Sequence, residues 1–203
     1  DAAVFGPGAK VQKATAGKVD VRIPAHFYKK AQLHDNYASL YLKCKGDFDL
    51  EVRAYDDAAA YRLVFKNSGT IKDEKVNYVF PDDCNAVIPY MNDLRGGKRY
   101  NFSFESYYDE HKLSQMFADS LSINPLALTL KSGRKAVVMD AGATNYPGMF
   151  LKKGEGNSLV SEFAPIPLET VIGGYDRLNL VPVRSADYIA VFDRKGEALP
   201  WRA

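Results

Sequence analysis

An all-β fold of antiparallel sheets is what this sequence predicts, and three features carry that prediction. Apolar and polar residues alternate at period two along much of the chain, while the spacing of an amphipathic helix is scarce. Aromatic and β-branched residues fill the alternating runs. Turn-forming clusters break these runs at short intervals, which is the pattern of a sandwich or barrel built from many short strands.

The first expected strand is Val19 to Ile23. Ser39 to Lys45 follows, with Leu40, Leu42 and Cys44 on one face. Lys45-Gly46-Asp47 makes a hairpin turn into Phe48 to Tyr55, which points Phe48, Leu50, Val52 and Ala54 inward and Asp49, Glu51 and Arg53 outward. Further strands are expected at Ala60 to Lys66, Val76 to Phe80, Tyr100 to Ser106, Ala127 to Lys131, Ala136 to Asp140, Met149 to Lys152 and Leu159 to Phe163. Turns fall at Asn67-Ser68-Gly69, Pro81-Asp82-Asp83, Arg95-Gly96-Gly97, Lys131-Ser132-Gly133, Lys153 to Gly156 and Gly173-Gly174. Short helical turns are expected near Tyr107 to Met116 and after Ser185, where Ser185-Ala186-Asp187 resembles an N-cap with an acidic first turn. With no internal repeat and no linker, residues 1–203 read as a single β domain.

Composition narrows the function classes. A chain of 203 residues that is 46% hydrophobic and 26% charged can bury a core and stay soluble. Its 27 Lys and Arg against 25 Asp and Glu leave +2, no global field for a polyanion, so nucleic acid is not an expected partner. Apolar stretches such as Pro125 to Leu130 fall far short of the roughly 20 residues a spanning helix needs. The start at Asp1, without Met, basic n-region or apolar h-region, is expected to follow a removed leader, or one that never belonged, or an internal start. Trp201, two residues from the stop, reads as the sign of a cut end. Cys44 and Cys84 form no C-x-x-C or metal-ligand pair and read as separate buried thiols.

Several segments together resemble a known family. Ala136-Val137-Val138-Met139-Asp140-Ala141, followed by Asn145-Tyr146-Pro147-Gly148-Met149-Phe150-Leu151, resembles a marker of glycoside hydrolase family 97. Ala54 to Phe65, Phe163 to Glu169, Arg184 to Ala190 and Leu199-Pro200-Trp201-Arg202 resemble other family segments in the family's order, covering about residues 48–202. The resemblance implies a periplasmic or secreted enzyme with an N-terminal β super-sandwich (galactose-mutarotase-like), a catalytic (β/α)8 barrel and a small C-terminal β domain. This chain matches the first part, with the family's first strands expected to be missing or shortened before Val19. The activity implied is removal of α-linked glucose or galactose from oligosaccharides, with calcium in the active site. The barrel is then a partner in cis, and the oligosaccharide is met through the parent enzyme.

The resemblance also assigns residues. The family places a Glu that contacts calcium where this chain has Asp140, a hard oxygen ligand one methylene shorter. One carboxylate cannot assemble the six to eight oxygens calcium takes, so no tight calcium binding is expected of residues 1–203 alone. Tyr146, Pro147 and Gly148 would set the approach of the next loop to the barrel, on a substrate-side or interdomain surface, and Trp201 would pack at the barrel entrance.

The residues themselves offer no catalytic set. Glycosidases use two carboxyls about 5 to 9.5 Å apart. Neighbouring acids point to opposite faces of a strand or out of a turn, so Asp56-Asp57 and Asp82-Asp83 read as turn and surface residues. His26, His34 and His111 are too scattered for a zinc spacing, and no G-x-S-x-G elbow or phosphate loop is present. Tyr55, Tyr61, Tyr90, Tyr107 and Tyr108 read mostly as packing residues. The alternative to a hydrolase domain is a free-standing carbohydrate-binding β-sandwich, and the default is a structural β domain.

Overall fold

A computed structural model describes residues 4–6, 8–91, 100, 104, 106–173 and 179–203. The expected turns Arg95-Gly96-Gly97 and Gly174, and most of the expected strand Tyr100 to Ser106, lie outside these residues. The chain begins with four strands, β1 (Val11–Pro24), β2 (Gln32–Cys44), β3 (Phe48–Ala54) and β4 (Ala59–Phe65). Then come β5 (Gly69–Ile71), β6 (Asn77–Val79), β7 (Asn85–Ile88), β8 (Tyr90–Met91) and β9 (Asp109–Lys112). A 3-10 turn at Leu113–Gln115 leads to β10 (Leu121–Ser122), β11 (Leu126–Thr129), β12 (Lys135–Val138) and β13 (Asp140–Ala141). The remainder is β14 (Phe150–Lys153), β15 (Ser158–Glu162), β16 (Pro167–Gly173), β17 (Asn179–Ser185), β18 (Ala190–Phe192) and β19 (Trp201–Arg202).

Contacts group these strands into two compact units, residues 1–69 with 192–203, and residues 70–191. In the first, antiparallel strands run in the order β1-β2-β3-β4-β19. Register follows the apolar alternation: Leu42 faces Leu50, Leu40 faces Val52, and Phe48 faces Phe65. Gly46, at φ 105°, takes the turn between β2 and β3 in a conformation that disfavours any residue with a Cβ. Phe5 meets both Phe48 and Phe65 edge-on at 5.5 Å, and Phe65 meets Phe192 at 5.4 Å, closing the apolar side. Strand β1 starts at Val11, well before the expected Val19.

The opposite side of this sheet departs from expectation. Asp49, expected to point into water, has its side chain 8% exposed. Lys66 Nζ lies 3.0 Å from its Oδ1, the Cys44 N–H donates to the same oxygen at 3.0 Å, and the Tyr41 hydroxyl donates to Oδ2 at 3.0 Å. A buried carboxylate is tolerated when it is paired and hydrogen-bonded in this way.

The second unit holds a five-stranded sheet, β6-β15-β14-β10-β8, a four-stranded sheet, β12-β11-β7-β9, and the β16-β17 ribbon. Ile88, Leu113, Leu126, Leu151 and Leu159 are fully buried in it. The helical turn expected within Tyr107 to Met116 shrinks to Leu113–Gln115, because Asp109–Lys112 is drawn into an edge ladder with β7. After Ser185 there is no helix. The Ala186 and Ile189 N–H groups donate to the carbonyls of Ile166 and Ile71 (both 2.9 Å), while Asp187 pairs with Lys72.

Candidate functional site

The residues singled out from the sequence fall on two features, one in each unit. In the second unit, strand β12 ends at Val138 and β13 begins at Asp140, from which a loop runs to Met149. The ends of that loop are tied together. The Met149 N–H donates to Asp140 Oδ2 at 3.0 Å, Asn124 Nδ2 donates to the Met149 carbonyl at 2.6 Å, and the Asp140 N–H donates to Asn124 Oδ1 at 3.3 Å. Asn124 thus holds both ends of the loop, and nothing in its sequence setting before Pro125 announces this.

An open cleft of about 550 Å³ borders this clamp, lined by residues that include Asn124, Asp140, Pro147, Gly148, Met149 and Phe150. Among the described residues that line it, Asp140 is the one ionisable group. Pro147 and Gly148 therefore share the cleft with Asp140, whereas Tyr146 is buried and meets Phe163 edge-on at 5.6 Å. Among the described residues, no group of three or more His, Cys, Asp or Glu could hold a metal ion. Asp140 could give a cation one carboxylate oxygen.

Trp201 lies in the first unit, on β19. The guanidinium carbons of Arg53 and Arg62 lie 4.2 and 4.3 Å from its ring centroid, and that of Arg53 is also 4.4 Å from the Tyr37 ring. Glu51 holds Arg62 in place, Oε2 accepting from Nε at 2.8 Å and lying 2.7 Å from a terminal nitrogen. Tyr37 in turn meets Tyr55 at 5.1 Å. A ladder of Tyr37, Arg53, Trp201 and Arg62 results, with the Trp ring occupied by cations. The alternation of β3 puts Arg53 outward, but no local pattern brings residue 201 beside residues 53 and 62.

The other candidates sit exposed in turns or have structural partners. Asp56 and Asp57 sit exposed in the β3–β4 turn. Asp83 accepts from the Ser114 N–H and hydroxyl, both at 2.9 Å, and these two bonds hold its carboxyl below the usual range. Asp82 accepts from the Lys131 N–H at 3.2 Å. His34 pairs with Asp20 at 2.7 Å, and His111 Nε2 lies 3.0 Å from the Tyr90 hydroxyl. Cys44 and Cys84 are both free and buried. Among the described residues no helix is long and apolar enough to cross a membrane.

Comparison with known proteins agrees with this architecture. The family profile described as glycosyl-hydrolase 97 N-terminal matches residues 2–203, a longer span than the segments at 48–202 that suggested it. A retaining alpha-galactosidase of Bacteroides thetaiotaomicron is 36% identical over 205 residues, covering 98% of this chain and 31% of that protein. A glycoside hydrolase family 97 enzyme of Pseudoalteromonas sp. strain K8, solved in complex with acarbose, superposes with a TM-score of 0.69 at 15% identity over 98% of this chain and 28% of its own. A beta-arabinopyranosidase crystal structure reaches 0.66 at 17% identity, over 96% and 31% respectively. The structural likenesses show the fold, the expected all-β super-sandwich. The chain spans about a third of the length of these relatives. It belongs to glycoside hydrolase family 97, as the N-terminal domain.

Proposed function

We propose that this chain is the non-catalytic N-terminal domain of a longer, periplasmic or secreted α-glycosidase, which removes α-linked galactose or glucose from oligosaccharides. The observation that carries this reading is the match of residues 2–203 to the family's N-terminal domain, together with coverage of 31% of a retaining alpha-galactosidase. Likeness to a retaining alpha-galactosidase favours a galactoside over a glucoside as the substrate here. The cleft is consistent with the non-catalytic part: glycoside hydrolysis by two carboxyls needs a second acid, and among the described residues that line the cleft Asp140 is the single one.

On this reading the domain shapes one wall of the active site, and the reacting carboxyls belong to a catalytic barrel in cis. The cleft residues Pro147 and Gly148 face that site, and Asp140 lends a calcium ion one carboxylate while other residues of the enzyme supply most of its shell. The calcium, when bound, supplies charge stabilisation near the reacting sugar. What this chain contributes is the hold on Asp140: the clamp through Met149 and Asn124 fixes its backbone and one carboxylate oxygen.

The test is hydrolysis of aryl α-galactoside and aryl α-glucoside by the full-length protein, with calorimetric titration of residues 1–203 against galactosides and maltooligosaccharides. The full-length protein is expected to cleave one glycoside, the galactoside in preference, and the domain to show no saturable binding. A full-length protein that cleaves neither, or micromolar sugar binding by the domain alone, would replace this reading with that of a carbohydrate-binding module.

A further inference from the structure

We infer that the tip of the β1–β2 hairpin is a membrane contact, and that its partner is the headgroup layer of a bilayer containing anionic phospholipid. The inference is independent of the activity proposed above. Strand β3 pairs with β2 no further along the arm than Ala38↔Ala54, whereas β1 and β2 continue together through six more pairs, from Val19↔Tyr37 to Pro24↔Gln32. At roughly 3.4 Å per pair, the ribbon runs about 20 Å past the end of β3. Within the first unit the tip therefore stands clear of the sheet that supports it.

The tip is a closed loop with its side chains turned outward. The Ala25 N–H donates to the Ala31 carbonyl at 3.0 Å and the Tyr28 N–H to the Ala25 carbonyl at 3.3 Å, so a turn over Ala25 to Tyr28 crowns the ribbon. Phe27, the third residue of that turn, is fully exposed, and Tyr28 beside it is 54% exposed. Just behind them the cross-strand pair Ile23 and Leu33 is exposed as well. Apolar surface gathered at one end of a ribbon, rather than scattered singly, marks a contact with something apolar. Lys29 and Lys30 come next in the loop, both exposed, with Lys29 Nζ 5.8 Å from the centre of the Tyr28 ring.

Charge chooses the partner. From Val21 to His34 the chain carries Arg22, Lys29 and Lys30 and no Asp or Glu. The nearest acids lie further down the arm: Asp35 is three pairs behind the last, opposite Val21, and Asp20 is held by His34 at 2.7 Å. A chain whose overall balance is only +2 thus gathers three cations around two exposed rings. Rings that enter the interface beside lysines that meet anionic headgroups are the two parts of an interfacial anchor. A convex tip cannot enclose a small ligand, but it can press into a soft surface. Backbone groups of so short a loop need water, which limits entry to the headgroup level.

The experiment is co-sedimentation of the full-length protein with vesicles of phosphatidylcholine, with and without phosphatidylglycerol, at about 0.1 M salt, where exposed charges still act over about 10 Å. The protein is expected to pellet with the anionic vesicles and to stay in solution with the neutral ones. Lys29→Gln with Lys30→Gln should weaken the partition about twenty-five-fold, a factor of about five for each cation removed. Phe27→Ala should weaken it about tenfold through the lost apolar contact. Because these side chains are exposed, the thermal midpoints of the variants should match that of the unaltered protein, so that misfolding is not mistaken for lost binding. No pelleting of the unaltered protein, or pelleting that neither variant changes, overturns the inference. Pelleting that depends on the lysines but not on Phe27 overturns it in favour of charge attraction without insertion. Indifference to vesicles together with Phe27-dependent pelleting on an insoluble α-glucan overturns it in favour of a polysaccharide contact.

Discussion

At Asp49 the balance of charge and burial can be read directly. Burial alone would raise its pKa, but the Cys44 N–H, the Lys66 ammonium and the Tyr41 hydroxyl outweigh it, and the carboxyl is held below its ordinary value. A lowered folded-state pKa means the contribution to stability is complete above the unfolded value, near 3.9, and is lost as pH falls through the lowered one. Chemical denaturation of the domain should therefore show stability falling below about pH 4, with Asp49→Asn giving a shallower decline over that window. Asp49→Ala should cost about 3 kcal/mol, because it leaves Lys66 and the Cys44 N–H without their acceptor. An unchanged denaturation midpoint would contradict the pairing. Asp140 offers a second test. Asp140→Ala in the full-length enzyme should raise the calcium concentration needed for half-maximal activity and speed exchange of the Met149 amide; faster exchange alone would leave Asp140 a loop clamp and no more.

Single strands and turns were readable where one face is apolar and the other is not. Strands β2, β3 and β4 form where the alternation predicts strands, with Asp49 of β3 buried instead of outward, and Lys131-Ser132-Gly133 turns as its residues demand, with Gly133 at φ 81°. The ribbon β16-β17 was missed because Leu168, Val171 and Ile172 show no alternation and Pro182 argues against a strand interior. Thr170 nevertheless pairs with Pro182, and among the described residues no third strand joins the ribbon to need that missing N–H. Strand β9 is polar throughout and exists through its pairing with β7, a long-range cause that local pattern cannot display. The same limit applied to the site: Asp140, Pro147 and Gly148 were found, but Asn124 and the Arg53–Trp201–Arg62 ladder depend on partners distant in sequence. Gly154 provides an element-level prediction. A Cβ there would lie 2.2 Å from Ser158 Oγ, 2.9 Å from Val160 Cγ2 and 3.2 Å from the Ser158 carbonyl, so Gly154→Ala should destabilise the β14–β15 turn by about 1 to 3 kcal/mol. Leu159→Ala, emptying a fully buried site on the adjoining strand, should cost about 2 to 5 kcal/mol. Thermal or urea unfolding checks both; no loss at Leu159 would contradict the core assigned to β15.

At the scale of the whole molecule, several of the described carboxylates are committed to structure. Asp49 binds Lys66, Glu51 binds Arg62, Glu162 binds Lys152 and the Tyr100 hydroxyl, and Asp187 binds Lys72. Acids held in this way keep a sheet together and are poorly placed to trade protons with a substrate. The match to the family's N-terminal domain is the observation behind the supporting role proposed here. The most direct measurement of that role is release of aryl alcohol from aryl α-galactoside by residues 1–203, shown to be folded by circular dichroism, beside an equimolar amount of the full-length protein. Steady turnover by the full-length protein and release by the domain equal to the buffer blank are expected. Turnover by the domain alone, abolished by Asp140→Ala, would contradict that role.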